Sequence, residues 1–280
     1  MYPAGVAGIA ARRVQIGNGL ALRVLESGPL HGHLVVLVHG WGGSVYSYDA
    51  TIPALASAGH RVVAIDLPGH GLSDTPDDAF PWSIPALADA VLGVVATIGA
   101  ARYSIVAHSM GGAVSLEIAG RGDARLERLA LLGAVGLGRV PLAPVLRLLT
   151  PAWARHFIAP LLTRTVVHLI LELSFATTER PEARDVDEYW APTQFDGYAL
   201  SCREVLHRVA WGRLSRATLR ALRLPVLVVA GGRDLVVREV AVGGRLIPGA
   251  RVVEIPDAGH LAVQERAEIV NRELLAFFAR

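Results

Sequence analysis

Ser109 stands where a hydroxyl could act as a nucleophile. It closes the apolar run Tyr103-Ser-Ile-Val-Ala-His108 and opens Met110-Gly-Gly112, with Ala107 two positions before it and Gly111 two after. A strand that turns sharply into a helix at a serine holds that side chain out toward substrate. The turn accepts only small residues at the flanking positions, because the backbone there is crowded. A serine hydroxyl is a poor nucleophile near neutral pH and needs a base. Histidine, with an ordinary pKa of about 6.5, suits that role, and an aspartate must hold its tautomer and stabilise the imidazolium that forms. The chain offers His260 in Asp257-Ala-Gly-His260 and Asp234 in Gly231-Gly-Arg-Asp234, each following an apolar run. A further run, Leu34 to Val38, leads into His39-Gly-Trp-Gly-Gly43. Glycines directly after a strand let backbone N–H groups turn inward, as an oxyanion hole requires.

With Asp66-Leu-Pro-Gly-His-Gly-Leu-Ser73, these segments fall in the order oxyanion loop, serine, acid, histidine. In that order and spacing the chain resembles the α/β-hydrolase family, from about Val14 to the C-terminus, and within it the serine esterase and lipase-like branch with a helical cap. The resemblance implies Ser109 as nucleophile, His260 as general acid–base and Asp234 as orienting acid. It implies the backbone N–H groups of Trp41 and Met110 as oxyanion donors. Trp41, Met110, Leu137, Val236 and Leu261 are expected around the substrate. One position departs from the family pattern: glycine usually precedes the nucleophile by two, and here Ala107 does. Alanine is the smallest residue with a Cβ, so a slightly opened elbow is the expectation.

The other titratable groups have plainer readings. His108 adjoins the nucleophile but points elsewhere on an elbow, and reads as a packing or hydrogen-bonding residue. His39 reads as a brace for the oxyanion loop, and His70 and Asp66 as scaffolding of the 66–73 turn. Asp257 is the rival acid, but only three residues before His260 it is too local to reach across the ring. Asp185, Asp187 and Asp196 read as solvated. The single cysteine, Cys202, excludes an intramolecular disulfide and offers no zinc cluster. No metal or organic cofactor is expected.

The elements that must position these groups follow from pattern. Strands are expected near 14–17, 21–26, 34–38, 61–65, 103–107, 129–133, 226–230 and 251–255. Helices are expected over 47–58, 84–98, 110–121, 238–247 and 265–279. Unbroken apolar strands such as Leu34-Val-Val-Leu-Val38 suit a parallel sheet covered by helices on both faces. Right-handed crossovers then bring the strand ends carrying Trp41, Ser109, Asp234 and His260 to one rim, where open α/β sheets bind ligands. From Ala134 to Pro225 the connection far exceeds the dozen or so residues a crossover needs. With 214–222 as crossover helix, residues 139–212 are expected as a helical cap on a core of 1–138 and 213–280. The cap is rich in bulky apolar residues, among them Leu146, Leu149, Trp153, Phe157, Leu162 and Ile170. A greasy cavity over a polar triad is the expectation, and a lipophilic rim meeting membranes a lesser one.

A serine at the elbow points to acyl chemistry. Haloalkane dehalogenases and epoxide hydrolases of this fold use aspartate there. The first expectation is a carboxylesterase for hydrophobic esters of short to medium chain, with lipase, lactonase and thioesterase activities as neighbours on the same mechanism. Carbon–carbon bond hydrolases acting on vinylogous diketones use the same triad and tend to carry cationic groups at the pocket, for which Arg203 and Arg208 are the candidates. A relative that binds ligands and turns over slowly is the non-enzyme alternative.

Composition bounds these readings. The chain has 280 residues, 52% hydrophobic and 19% charged, a compact globule rather than a disordered chain. All 27 basic side chains are arginine, which rules out Schiff-base chemistry. A formal net charge of +2 with scattered arginines gives no nucleic-acid signal. The apolar region 141–175 is broken by arginines and prolines, so no membrane span is expected. Arg12 and Arg13 follow rather than precede the apolar N-terminal stretch, against a secretory signal. A cytoplasmic location is the resulting expectation.

Overall fold

The computed structural model describes residues 1–17, 19–155, 157–176 and 181–279. Eight strands form one sheet: β1 (Ile9–Gln15), β2 (Ala21–Ser27), β3 (Leu34–Val38), β4 (Arg61–Ile65), β5 (Tyr103–His108), β6 (Leu126–Leu132), β7 (Val226–Gly231) and β8 (Arg251–Ile255). Their order is β1-β2-β4-β3-β5-β6-β7-β8. The β1–β2 and β2–β4 pairs are antiparallel, and the pairs from β4 onward are parallel. This is the mostly parallel, helix-flanked sheet of the α/β-hydrolase fold.

Strand periodicity divides the core in two. Val36, Val38, Ile105 and Ala107 face one side of the sheet, packed with α2 (Ile84–Ile98) and α3 (Met110–Gly120). Val35, Leu37 and Val106 face the other, packed with α1 (Thr51–Ser57) and α11 (Ala267–Phe278). Both faces of β3 and β5 are therefore buried, which explains their uninterrupted apolar sequences.

Strand β1 begins five residues before its expected start. It is an edge strand with exposed arginines, and Arg12 pairs with Glu26 on β2 at 2.8 Å, so its polar sequence carries little strand signal. The expected helix over 47–58 is a 3₁₀ turn, Val45–Tyr48, followed by α1. That over 238–247 shortens to α9 (Val240–Gly244). The last one divides into α10 (Ala262–Glu265) and α11.

Between β6 and the crossover helix α8 (Arg216–Ala221) lie α4 (Ala143–Leu149), α5 (Arg164–Ser174), α6 (Ala183–Trp190) and α7 (Tyr198–Arg208). Residues 156 and 177–180 of this insertion lie outside the described residues. Val167, Leu171, Phe175 and Val186 form a small core of their own with Leu261 from the main body. Polar contacts also tie the insertion down: Tyr46 donates to Asp185 at 2.6 Å, and Tyr198 donates to the Gly42 carbonyl at 2.9 Å. Asp185 is thus a tether, not a solvated carboxylate.

Candidate active site

The elbow is built by strain and close approach. Ser109 has φ 53° and ψ −119°, a region that non-glycine residues avoid at a cost of about 1–3 kcal/mol. Backbone bonds on both sides hold it there. Its N–H donates to Leu132 at 2.9 Å, and its carbonyl accepts from Gly112 and Val135 at 2.9 Å each. At Gly111 any Cβ would overlap the Val38 carbonyl oxygen, and at Gly112 the Cβ of Ala134. Ala107 lies fully buried on β5, and the elbow forms with alanine in place of the usual glycine.

Ser109, His260 and Asp234 come together from three loops. The Ser109 hydroxyl lies 2.9 Å from His260 Nε2, and His260 Nδ1 lies 2.9 Å from Asp234 Oδ2. A carboxylate can only accept, so Nδ1 carries the proton and Nε2 faces the serine as acceptor. The other oxygen of Asp234 accepts the N–H groups of Val236 and Val237, both at 2.8 Å, which fixes the carboxylate. His260 is held through its backbone as well. Its N–H donates to the Ser174 carbonyl at the end of α5 at 2.7 Å, and its own carbonyl accepts from His108 Nε2 at 2.9 Å. Asp257, the rival acid, lies on the surface and pairs with Arg266 at 3.1 Å.

The loop 39–43 faces the serine. A Cβ at Gly40 would lie 2.8 Å from Ser109 Cβ and 3.3 Å from its Oγ, so only glycine lets the loop come this close. His39 is buried, its Nδ1 donates to the Gly40 carbonyl at 2.7 Å, and its Nε2 accepts from the Leu67 N–H at 2.9 Å. Burial holds its pKa down to about 4, so the ring is neutral near pH 7. Burial likewise holds His70 at about 4 and His108 at about 3. Asp66 accepts from the N–H groups of Val45 and Leu72 and pairs with Arg23, stitching the neighbouring turns together. Met110 is the first residue of α3, where a helix leaves its amides without intrahelical partners.

A cavity of about 160 Å³ opens on Ser109 and His260. Trp41 and Leu261 line it with Leu162, Val167, Ile170 and Leu171 from the insertion. Three residues expected there lie elsewhere. Met110 is fully buried, because the first turn of α3 aims its side chain into the core. Leu137 is also fully buried, beneath Gly243. Val236 packs against the core and contributes its amide to Asp234 instead. Ser47, Tyr189, Tyr198 and Cys202 are among the lining residues that were not expected. They come from the 3₁₀ turn and from helices whose docking is tertiary, and no local pattern marks it. Burial pushes the Cys202 thiol up to about 12, which leaves it inert. Arg203 and Arg208 both pair with Glu204, and neither lines the cavity.

The family model for the alpha/beta hydrolase fold matches residues 33–267. The chain belongs to the α/β-hydrolase family. It is accordingly a hydrolase by family. It is 33% identical, over 98% of its length and 70% of the relative's, to the dihydrolipoyllysine-residue acetyltransferase component of the acetoin cleaving system of Pseudomonas putida. Against three of its curated relatives the chain spans 70%, 46% and 65% of their lengths. Among solved structures it resembles the 2-hydroxy-6-oxo-6-phenylhexa-2,4-dienoate hydrolase of Rhodococcus sp. strain RHA1, with 26% identity, TM-score 0.82 and coverage of 97% of this chain and 99% of that one. It also resembles the enol-lactonase of Burkholderia xenovorans LB400, with 26% identity, TM-score 0.78 and coverage of 96% and 100%. Among the described residues no helix is long and apolar enough to cross a membrane.

Proposed function

We propose that this chain is a serine carboxylesterase that cleaves hydrophobic esters of short to medium chain through an acyl-enzyme. The observation that carries the reading is the hydrogen-bonded line from Ser109 through His260 to Asp234, opening into a cavity whose other lining residues, among those described, are uncharged. Ser109 Oγ attacks the ester carbonyl as His260 Nε2 takes its proton, and Asp234 stabilises the imidazolium. The N–H groups of Trp41 and Met110 hold the developing oxyanion, each worth about 2.7–4 kcal/mol in the transition state. His260 then protonates the leaving alkoxide. A water deprotonated by His260 next attacks the acyl-enzyme, releasing the acid and restoring Ser109. In this reading the insertion is the cap that walls the acyl pocket.

An engineered apolar cavity of about 150 Å³ accepts benzene, so a cavity of about 160 Å³ suits an acyl group of roughly six carbons. Initial rates on p-nitrophenyl esters of rising acyl length test this. A peak near that length, absent in Ser109→Ala, supports the reading, and a flat, serine-independent profile rejects it. The likeness to the dienoate hydrolase favours carbon–carbon bond cleavage as a second reading. Against it, among the described residues no arginine lines the cavity to meet a substrate carboxylate. Turnover of a vinylogous diketone acid in preference to esters would reverse that choice.

A further inference from the structure

The outer face of the insertion is apolar where a soluble surface should be polar. On α5, Val167, Leu171 and Ser174 face inward, while Val166, Leu169, Ile170 and Leu173 lie exposed at i, i+3, i+4 and i+7. That spacing is a core-facing stripe, and here it faces solvent. On α4, Ala143 alone is buried, and Val145, Leu148 and Leu149 project outward, as does Leu142 just before it. Between the helices Trp153, Phe157 and Leu161 do the same, with Leu148 80% and Trp153 77% exposed. Among the described residues, eleven of the seventeen exposed large apolar side chains fall within residues 142–173, and those outside are scattered. Single exposed leucines are ordinary, but a run of this kind marks an interaction surface.

Two further observations say what covers it. Ile170 belongs both to this face and to the lining of the cavity over Ser109, so the surface reaches the cavity at that residue. The flank is also cationic. Arg147 donates only to the neutral carbonyls of Leu206 and Val209, and the half-exposed Arg208 shares the carboxylate of Glu204 with Arg203, which is itself buried. Nearby in sequence, Arg164 is matched by Asp187, and Arg139 shares Glu239 with Arg213. Two copies facing each other through this patch would oppose like charges, whereas an anionic lipid headgroup layer complements them.

We infer that residues 142–173 seat the protein on an anionic lipid surface, with apolar side chains in the headgroup–acyl boundary and the cavity mouth turned toward it. Burying such side chains at an interface contributes through apolar area, and nearby arginines add attraction to anionic lipid. The surface therefore binds without any segment spanning the bilayer.

Vesicle sedimentation with Ser109→Ala protein tests this independently of turnover. Phosphatidylglycerol-containing vesicles are compared with pure phosphatidylcholine at low and high salt. The chain should sediment with the anionic vesicles and be released by salt. The triple variant Leu148→Ser/Trp153→Ser/Phe157→Ser, with an unchanged melting temperature, should bind at least about tenfold more weakly. The double variant Arg147→Gln/Arg208→Gln should retain apolar binding but show a weaker salt dependence. Absence of sedimentation with either vesicle overturns the proposal. Equal binding to both overturns its electrostatic part. A wild-type dimer in light scattering that the triple variant dissolves, without vesicle binding, assigns the face to a second copy instead.

Discussion

His39 makes the site's support acid-labile by an amount the structure lets one work out. Unfolded, its imidazole takes up a proton at its ordinary pKa of about 6.5; folded, burial holds that step down to about 4. Below pH 6.5 the unfolded state therefore binds a proton that the native state refuses. The stability His39 confers is fully present above pH 6.5 and is lost as pH falls toward about 4. At about 1.4 kcal/mol per pH unit, lowering the pH from 7 to 5 removes about 2 kcal/mol through this residue alone. His39→Gln can donate to the Gly40 carbonyl and accept from Leu67 without titrating. Urea unfolding of both proteins at pH 7 and pH 5 isolates the effect, because the remaining titrating groups cancel in the double difference. Wild type should lose about 2 kcal/mol more than the variant between those pH values. Equal losses would mean that His39 is protonated in the folded state, and the neutral brace would be wrong.

Other substitutions probe the site by geometry. Asp234→Asn leaves the backbone amides a partner but removes the charge that holds His260 in its tautomer; kcat should fall by about 10⁴, and unchanged kinetics would move the acid role to another carboxylate. His260→Ala should abolish ester turnover with the melting temperature within a few degrees of wild type. Gly40→Ala places a methyl group against Ser109, so kcat should drop at least about a hundredfold with a folded protein; full activity would mean that the loop can retreat. Gly111→Ala must push β3 away from the elbow, and both stability and turnover should fall.

The sheet was legible because each inner strand is buried on both faces and so reads as a plain apolar run. Ser109, His260 and Asp234, which the structure brings within hydrogen-bonding distance, were legible as candidates because the proposed chemistry demands fixed residue types at the strand ends, with small residues beside Ser109. The edge strand was harder: β1 packs only partly and carries Arg12 and Arg13 outward, which erases the apolar alternation. The pocket was harder still. Leu137 and Val236 follow strands as lining residues do, yet their backbone turns place one in the core and one against Asp234. Tyr189 and Tyr198 line the cavity through docking of the insertion on Ser47 and Gly42, over a hundred residues away in sequence. Only three-dimensional packing brings such groups together.

The account depends most on Ser109 as the activated nucleophile. Brief treatment with a fluorophosphonate, followed by intact and peptide mass spectrometry, tests that directly. The wild-type protein should gain one phosphonyl group on the peptide containing Ser109, Ser109→Ala none, and His260→Ala should label far more slowly. A wild-type protein that stays unmodified, or carries the group on another residue, would contradict it.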